Sequence, residues 1–367
     1  MTPRKVVLLL ILVAGISSCS IRPTEYALDD APSHHTTRGF KNIHVEDPNK
    51  TFFSFLRMRM FGGVQWADHT ATANLVPYQM LDLDKVRKPA AAPQISWLGH
   101  STFLIQYQGI NILTDPIFSD RASALGFTGP KRYTPHTVDY TELPPIDYVV
   151  ISHNHYDHLN DTAIRVLGSN PKYLIPLGLK EWLMNEGVSE TSISELDWWQ
   201  QANPSFTRGL THALQIEAQP SQHWSARGIF DRRKTLWASW HINFGDLSIW
   251  FAGDTGYNPI QFKEIGEKNG PVDLALIPIG AYDPRDFMQT YHVDPDEAVE
   301  IHKDLKARKS IGMHWGTYPL TAEEPMDPIQ RLRQARVRED ISPSEFGTMK
   351  LGATMVLHNP MSSKKVE

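Results

Sequence analysis

The chain has 367 residues, enough for one large domain or two ordinary ones. Its hydrophobic share of 41% and charged share of 21% exclude a disordered chain and one that crosses a membrane many times. A formal net charge of −5 argues against a nucleic-acid partner, and a single cysteine excludes both a disulfide framework and a cysteine-built zinc site, so any metal has to be held by imidazole and carboxylate.

Arg4 and Lys5 precede an unbroken apolar run from Val6 to Val13, and small residues then lead to Ile16-Ser17-Ser18-Cys19. The run is short for a bilayer span but suits the core of a signal peptide. Ile-Ser-Ser-Cys resembles the bacterial lipobox. Residues 1–18 are therefore expected to be a lipoprotein signal peptide and Cys19 the lipidated residue, the alternative being an ordinary secretory signal cut nearby. The expected place is the bacterial cell envelope, lipid-anchored. Ser20 offers no aspartate-type inner-membrane retention signal, which points to the periplasmic face of the outer membrane. Residues 19–50 are rich in Pro, Thr, His, Asn and Asp without an apolar period and read as a flexible stalk. Residues 51–93 read as an N-terminal extension packed on the core. In it Phe52, Phe53, Phe55, Leu56, Met58, Met60 and Phe61 form an amphipathic patch: a helix against the core, or a surface turned to a membrane or substrate.

After Ala92 short β-branched runs alternate with helical segments. The pattern predicts strands at Gln94–Leu98, Phe103–Tyr107, Ile110–Leu113, Tyr148–Ile151, Tyr173–Pro176, Ala213–Ala218, Leu236–Ile242, Leu247–Phe251, Leu274–Pro278 and Ser310–Met313. It predicts helices at Asp161–Gly168, Leu179–Gly187, Asn258–Lys268 and Pro295–Ala307, the last begun by an Asp294 cap, Pro295 and Glu297. Interleaved strands and helices without a linker indicate one layered α/β domain over residues 94–360.

The strongest local signal is His153-Asn154-His155-Tyr156-Asp157-His158, directly after an apolar strand. Three imidazoles and a carboxylate within six residues are costly to bury unpaired, and these donors suit zinc where thiolate is absent. In extended backbone His153 and His155 point the same way and can grip one ion, while Asp157 and His158 reach a second. Further candidates follow strand ends: His223 in Ser221-Gln222-His223-Trp224, Asp254 in Ala252-Gly253-Asp254-Thr255-Gly256, and His314 in Met313-His314-Trp315-Gly316. Tyr156 can face a substrate or pack behind the ligand loop, and His292 can contact an anion or be an ordinary helix-start histidine. Asp115 and His100 read as orienters of ligands rather than ligands. Glu195, Asp197, Trp198 and Trp199 read as structural or pocket-lining.

His-x-His-x-Asp-His, a lone His, a Gly-Asp-Thr-Gly aspartate and a late His, in that order, resemble the metallo-β-lactamase superfamily. Longer phrases between about Ile95 and Tyr318 are similar to the phospholipases D that hydrolyse N-acyl-phosphatidylethanolamine and to related bacterial envelope proteins. They include Gly99-His100-Ser101-Thr102, Thr114-Asp115-Pro116-Ile117-Phe118, Glu195-Leu196-Asp197-Trp198-Trp199 and Ile277-Pro278-Ile279-Gly280-Ala281-Tyr282. The resemblance implies a four-layer αβ/βα sandwich and two zinc ions per chain. His153, His155 and His223 would hold the first, Asp157, His158 and His314 the second, and Asp254 would bridge them. It implies catalytic roles for Asp157 and His292, substrate contacts from Tyr156 and His292, and release of phosphatidic acid and N-acylethanolamine by a zinc-activated hydroxide. Expected partners are a phospholipid substrate, the membrane through the lipid anchor and, in a homodimer, a second copy. Zinc hydrolysis of a lactone, ester or sugar phosphate is the alternative within the superfamily, and a non-catalytic envelope lipoprotein the alternative outside enzymes.

Overall fold

The structure is a computed structural model that describes residues 31–46, 48, 50, 52–203 and 214–357. The signal segment 1–18 and Cys19 lie outside the described residues, as does the first part of the strand expected at Ala213–Ala218.

The described residues open with a hairpin, β1 (His35–Thr36) and β2 (Gly39–Phe40). Strands β3 (Gln94–Gly99), β4 (Thr102–Tyr107), β5 (Ile110–Thr114), β6 (Tyr148–Val150), β7 (Lys172–Pro176) and β8 (Ile193–Leu196) build one sheet. A second sheet contains β9 (Gln201–Ala202), β10 (Gln215–Gln219), β11 (Ser239–Asn243), β12 (Ser248–Phe251), β13 (Leu274–Pro278), β14 (Ser310–Met313) and β15 (Phe346–Thr348). The last strand, β16 (Thr354–Val356), returns to the first sheet beside β3. Strand order is β16-β3-β4-β5-β6-β7-β8 in one sheet and β15-β14-β13-β12-β11-β10-β9 in the other. Pairing is parallel from β5 to β8 and from β12 to β15, and antiparallel elsewhere in both.

The helices are α1 (Phe52–Phe61), α2 (Leu83–Arg87), α3 (Asp161–Leu167), α4 (Lys180–Asn185), α5 (Gln261–Asn269), α6 (Arg285–Met288), α7 (Pro295–Asp304) and α8 (Asp327–Arg338). Side-chain alternation separates the layers. Along β4, Phe103 and Ile105 join Trp240, Ile249 and Phe251 of the other sheet in one core, whereas Leu104 joins Ile164 of α3 and Leu183 of α4 in another. On the far side Ile265 of α5, Ile301 of α7 and Leu332 of α8 cover the second sheet. The result is the expected four-layer αβ/βα sandwich. The capping box of α7 is present in full, with Asp294 accepting from the Glu297 amide and Glu297 from the Asp294 amide.

Two readings of the N-terminal part need correction. A flexible stalk does not describe residues 31–46: the hairpin buries His34, Phe40 and Asn42 against the domain. Alternating small polar residues hide this, because the hairpin is held by side-chain polar contacts more than by apolar area. The extension at 51–93 packs on the core only in its second half, through Val76, Leu81 and Val86. In α1 Phe53, Met60 and Phe61 are exposed, and Phe55 packs on Trp66 and Phe287 at the surface.

Candidate metal centre

Every expected ligand leaves a strand at its carboxyl end, where α/β sheets collect site residues. After β6 the chain runs through Ser152 to Asp157 and His158, where a tight turn (His158 N–H to the His155 carbonyl, 3.0 Å) leads into α3 under an Asn160 cap. His223 follows β10, Asp254 follows β12 and His314 follows β14. Gly253 is required beside Asp254. Its φ is +59°, and an added Cβ would lie 2.4 Å from Ser152 Cβ, so a side chain would drive two ligand segments apart. His100 (φ 51°), Asp115 (φ 31°) and His314 (φ 61°) are non-glycine residues held in the left-handed region, and such strain gathers at functional sites.

The seven side chains converge into two adjoining groups. His155 Nδ1 lies 2.8 Å from His153 Nε2 and 3.2 Å from His223 Nε2. On the other side His314 Nε2 lies 3.1 Å from His158 Nε2 and 3.3 Å from Asp157 Oδ2. Asp254 stands between them: Oδ1 is 3.1 Å from His314 Nε2, while Oδ2 is 3.2 Å from His158 Nε2 and 3.8 Å from His223 Nε2. Ligands about 2.0–2.1 Å from one tetrahedral ion stand about 3.3 Å apart, close to most of these separations. Three of the five far nitrogens are tied away from the centre, which turns their near ones inward. His158 Nδ1 meets Asp115 (2.6 Å), His153 Nδ1 meets the Ser152 hydroxyl (2.9 Å) and His223 Nδ1 donates to the Tyr291 carbonyl (2.9 Å). Asp254 Oδ1 is buried with no hydrogen-bond partner among the described residues, as expected of a carboxylate awaiting a cation. The residues fit a pair of metal ions.

Electrostatics agree. Burial holds His153 and His223 well below the usual imidazole value and takes His155 to about 3, leaving neutral ligands. Burial also opposes charge on His158 and His314, but Asp254 and Asp157 overcome it, lifting His158 well up and His314 to about 9. Burial alone would raise Asp157 and Asp254; neighbouring imidazoles, His158 foremost, keep both well below the carboxylate range. Asp157 is thus held ionised, which suits a ligand better than a carrier of protons.

Three further residues differ from, or add to, the sequence reading. Tyr156 is not free for a substrate phosphate: its hydroxyl donates to the Arg227 carbonyl at 2.6 Å, and an acceptor-only phosphate oxygen cannot use what remains. His100, read as an orienter, gives Asp157 a contact at 3.0 Å and also falls within ligand range of Asp157, His158 and His314. Arg227, which sequence reasoning missed, ties its own loop to the ligand loop by donating from Nη1 to the carbonyls of Asn154 (2.9 Å) and Leu159 (2.7 Å). No periodicity or motif marks it. His292 does reach the centre, with Nδ1 3.8 Å from Asp254 Oδ2.

The model of the β-lactamase superfamily domain matches residues 110–315, from β5 to just past His314. The chain belongs to the metallo-β-lactamase superfamily. Within it, this hydrolase is 45% identical over 267 residues to N-acyl-phosphatidylethanolamine-hydrolyzing phospholipase D 1 of Caenorhabditis elegans, covering 70% of this chain and 74% of the relative. It is 34% identical over 275 residues to the mitochondrial N-acyl-phosphatidylethanolamine-hydrolyzing phospholipase D of Saccharomyces cerevisiae, covering 71% of this chain and 58% of the relative. A 103-residue stretch, 28% of the chain and 75% of the relative, is 41% identical to outer membrane protein RomA of Klebsiella pneumoniae. Among solved structures, the metallo hydrolase Igni18 of Ignicoccus hospitalis superposes with a TM-score of 0.54 at 22% identity, covering 73% of this chain and 99% of that one, which shows the shared fold.

Proposed function

We propose that this hydrolase is a phospholipase D-type phosphodiesterase. It would use two zinc ions to cleave N-acyl-phosphatidylethanolamine-like lipids into phosphatidic acid and N-acylethanolamine. The carrying observation is the junction of the dinuclear centre with an exposed apolar helix. A series of contacts leads from one toward the other: Trp224 packs on His155 (4.4 Å), Tyr291 lies beside Trp224 (6.1 Å), and the Tyr291 hydroxyl donates to the Pro48 carbonyl (3.3 Å) just before α1. Lys50 stacks on Phe287, which in turn meets Phe55 of α1. A small soluble ester has no use for such a helix; an acyl chain does.

His153, His155 and His223 would hold one ion, Asp157, His158 and His314 the other, with Asp254 between. A bound pair of zinc ions supplies Lewis acidity for activating water and for offsetting phosphate charge. The chain's own part is to place the phosphate and exclude competing water. Buried Asp115 orients His158, and His100 orients Asp157. Arg285 donates from Nη1 to the His292 carbonyl (2.6 Å) and so fixes the backbone behind a buried imidazole facing Asp254. Burial draws His292 down to about 4, so it serves as a neutral hydrogen-bond donor to a phosphate oxygen.

The lipidated Cys19, envelope location and homodimer belong to the same reading. The RomA likeness supports an envelope protein, and no helix among the described residues is long and apolar enough to cross a membrane. The test is incubation of zinc-replete protein with N-acyl-phosphatidylethanolamine vesicles and mass-spectrometric search for the two products. Intact lipid, with a soluble lactone or ester cleaved under the same conditions, would overturn the lipid reading.

A further inference from the structure

The hairpin ahead of α1 reaches the metal centre at one buried amide. Asn42 Nδ2 donates to the carbonyl of His223 at 3.0 Å, while its Oδ1 is buried without a hydrogen-bond partner among the described residues. Among the described residues this amide thus bonds to the main chain of a candidate metal ligand. That ligand needs support, because residues 220–238, which carry it, contain no helix or strand. The loop is closed on itself where the Ser225 hydroxyl donates to the Thr235 carbonyl (2.6 Å) and Asp231 accepts the amides of Arg227 and Gly228. It grips the ligand loop through Arg227.

The hairpin runs along the outer side of this loop. The Phe40 amide donates to the Arg233 carbonyl at 2.9 Å, an approach so close that a Cβ on Gly39 (φ +137°) would sit 2.0 Å from that oxygen. At its other end the hairpin is clasped. His34 Nε2 and His35 Nε2 reach the two oxygens of Asp197 at 2.6 and 2.8 Å, the Trp198 amide also donates to Asp197 Oδ1 (2.8 Å), and the His34 ring stacks on Trp198 at 4.2 Å. Two histidines and an aspartate could also hold an ion. Yet a carboxylate already accepting three donors has little left to offer a metal.

We propose that the N-terminal hairpin is a positioning element of the metal centre: the His34–Asp197–His35 clasp fixes the hairpin, and Asn42 holds the His223 backbone so that Nε2 meets His153 and His155. The proposal rests on the seven-residue centre binding metal but not on which bond the enzyme cleaves.

Cobalt titration of the full chain, followed by absorption and by metal analysis after dialysis, tests it. Asn42→Asp keeps the shape but removes the donor. It should weaken one of two bound ions by roughly 10- to 100-fold, the range for losing a group behind a ligand, with the second ion and the far-ultraviolet circular dichroism unchanged. His34→Ala with His35→Ala should do the same, and His34→Gln with His35→Gln, whose amides restore a donor near Nε2, should recover affinity. This pair carries the test if Asn42→Asp does not fold. Wild-type affinity in both the Asp and the Ala variants would overturn the proposal. So would a third equivalent of cobalt removed by His35→Ala, since the clasp would then be an ion site. Loss of N-acyl-phosphatidylethanolamine cleavage as a function, with these metal effects intact, would sink the lipid reading alone.

Discussion

Two clusters of histidine and aspartate sit in this domain, one around Asp254 and one around Asp197, and residue type does not distinguish them. Around Asp254 the donors come from separate strand ends, and several have their far nitrogen tied to Asp115, Ser152 or the Tyr291 carbonyl. Around Asp197 two adjacent histidines spend their near nitrogens on the carboxylate itself. The first arrangement turns several near nitrogens toward a shared centre, and the second spends them on a single carboxylate. Which nitrogen is left facing inward decides whether such a cluster takes a metal or a hydrogen bond.

Asp254→Ala gives the largest expected break. Both ions would share this carboxylate, so activity should fall to background and metal analysis should find the protein nearly empty. The metal-free protein should also lose about 1–3 kcal/mol of stability, since His158 and His314 would lose one of the two carboxylates that hold their charge and keep only Asp157 at the centre. Two equivalents retained in the variant would remove Asp254 from the bridging role. Chelation is the reversible counterpart. Each ion held at about a thousand times its dissociation constant contributes about 4 kcal/mol to the folded state, so stripping should lower the melting temperature and stop turnover, and zinc should restore both. His292→Ala comes next, slowing turnover roughly 10²-fold with both ions kept, as for a lost contact to the reacting group. Because His292 also lies within ligand range of His223 and Asp254, a variant that sheds metal would move it among the ligands.

What the sequence disclosed follows the same physics. The seven candidate ligands were legible because each follows an apolar strand, and the central strands were legible because both faces of each are buried. In the two seven-stranded sheets the unread strands, β8, β9, β15 and β16, are the four edges. They are two to four residues long, and Gln201-Ala202 or Phe346-Gly347-Thr348 carries too little alternation to register. At β11 the predicted start at Leu236 came too early. Leu236 and Ala238 are buried, but their amides donate to Leu177 and Ser152 of the other half rather than to a neighbouring strand. Asn42, Arg227 and the Asp197 clasp stayed hidden for a related reason. Their contacts span 68 positions or more and lie on segments with no period, so nothing local announces them.

Asp197→Ala is the sharper test of the contrast with Asp254. It should leave both ions in place at saturating zinc and cost about 1–3 kcal/mol, the penalty for buried donors at His34 and Trp198 left without an acceptor. Thermal melts and metal analysis on the same samples check it. A variant as empty as Asp254→Ala would erase the distinction between the two clusters.

The smallest effect on the molecule itself is expected at α1. Phe53 and Phe61 are 69% and 76% exposed, so replacing both by serine should change stability by no more than about 0.5 kcal/mol each and leave zinc content alone. Their cost appears only where substrate sits in a bilayer. Each exposed phenyl removed from water is worth up to about 1.5–3 kcal/mol, so losing two should cut turnover on vesicles at least tenfold. Hydrolysis of a short-chain soluble analogue, which reaches the metal centre without touching α1, should be unchanged. Equal loss on both substrates would mean that Phe53 and Phe61 act through the fold. Equal retention would mean that the helix has no part in reaching lipid, and the case for a lipid substrate over a soluble ester would then rest on likeness to relatives alone.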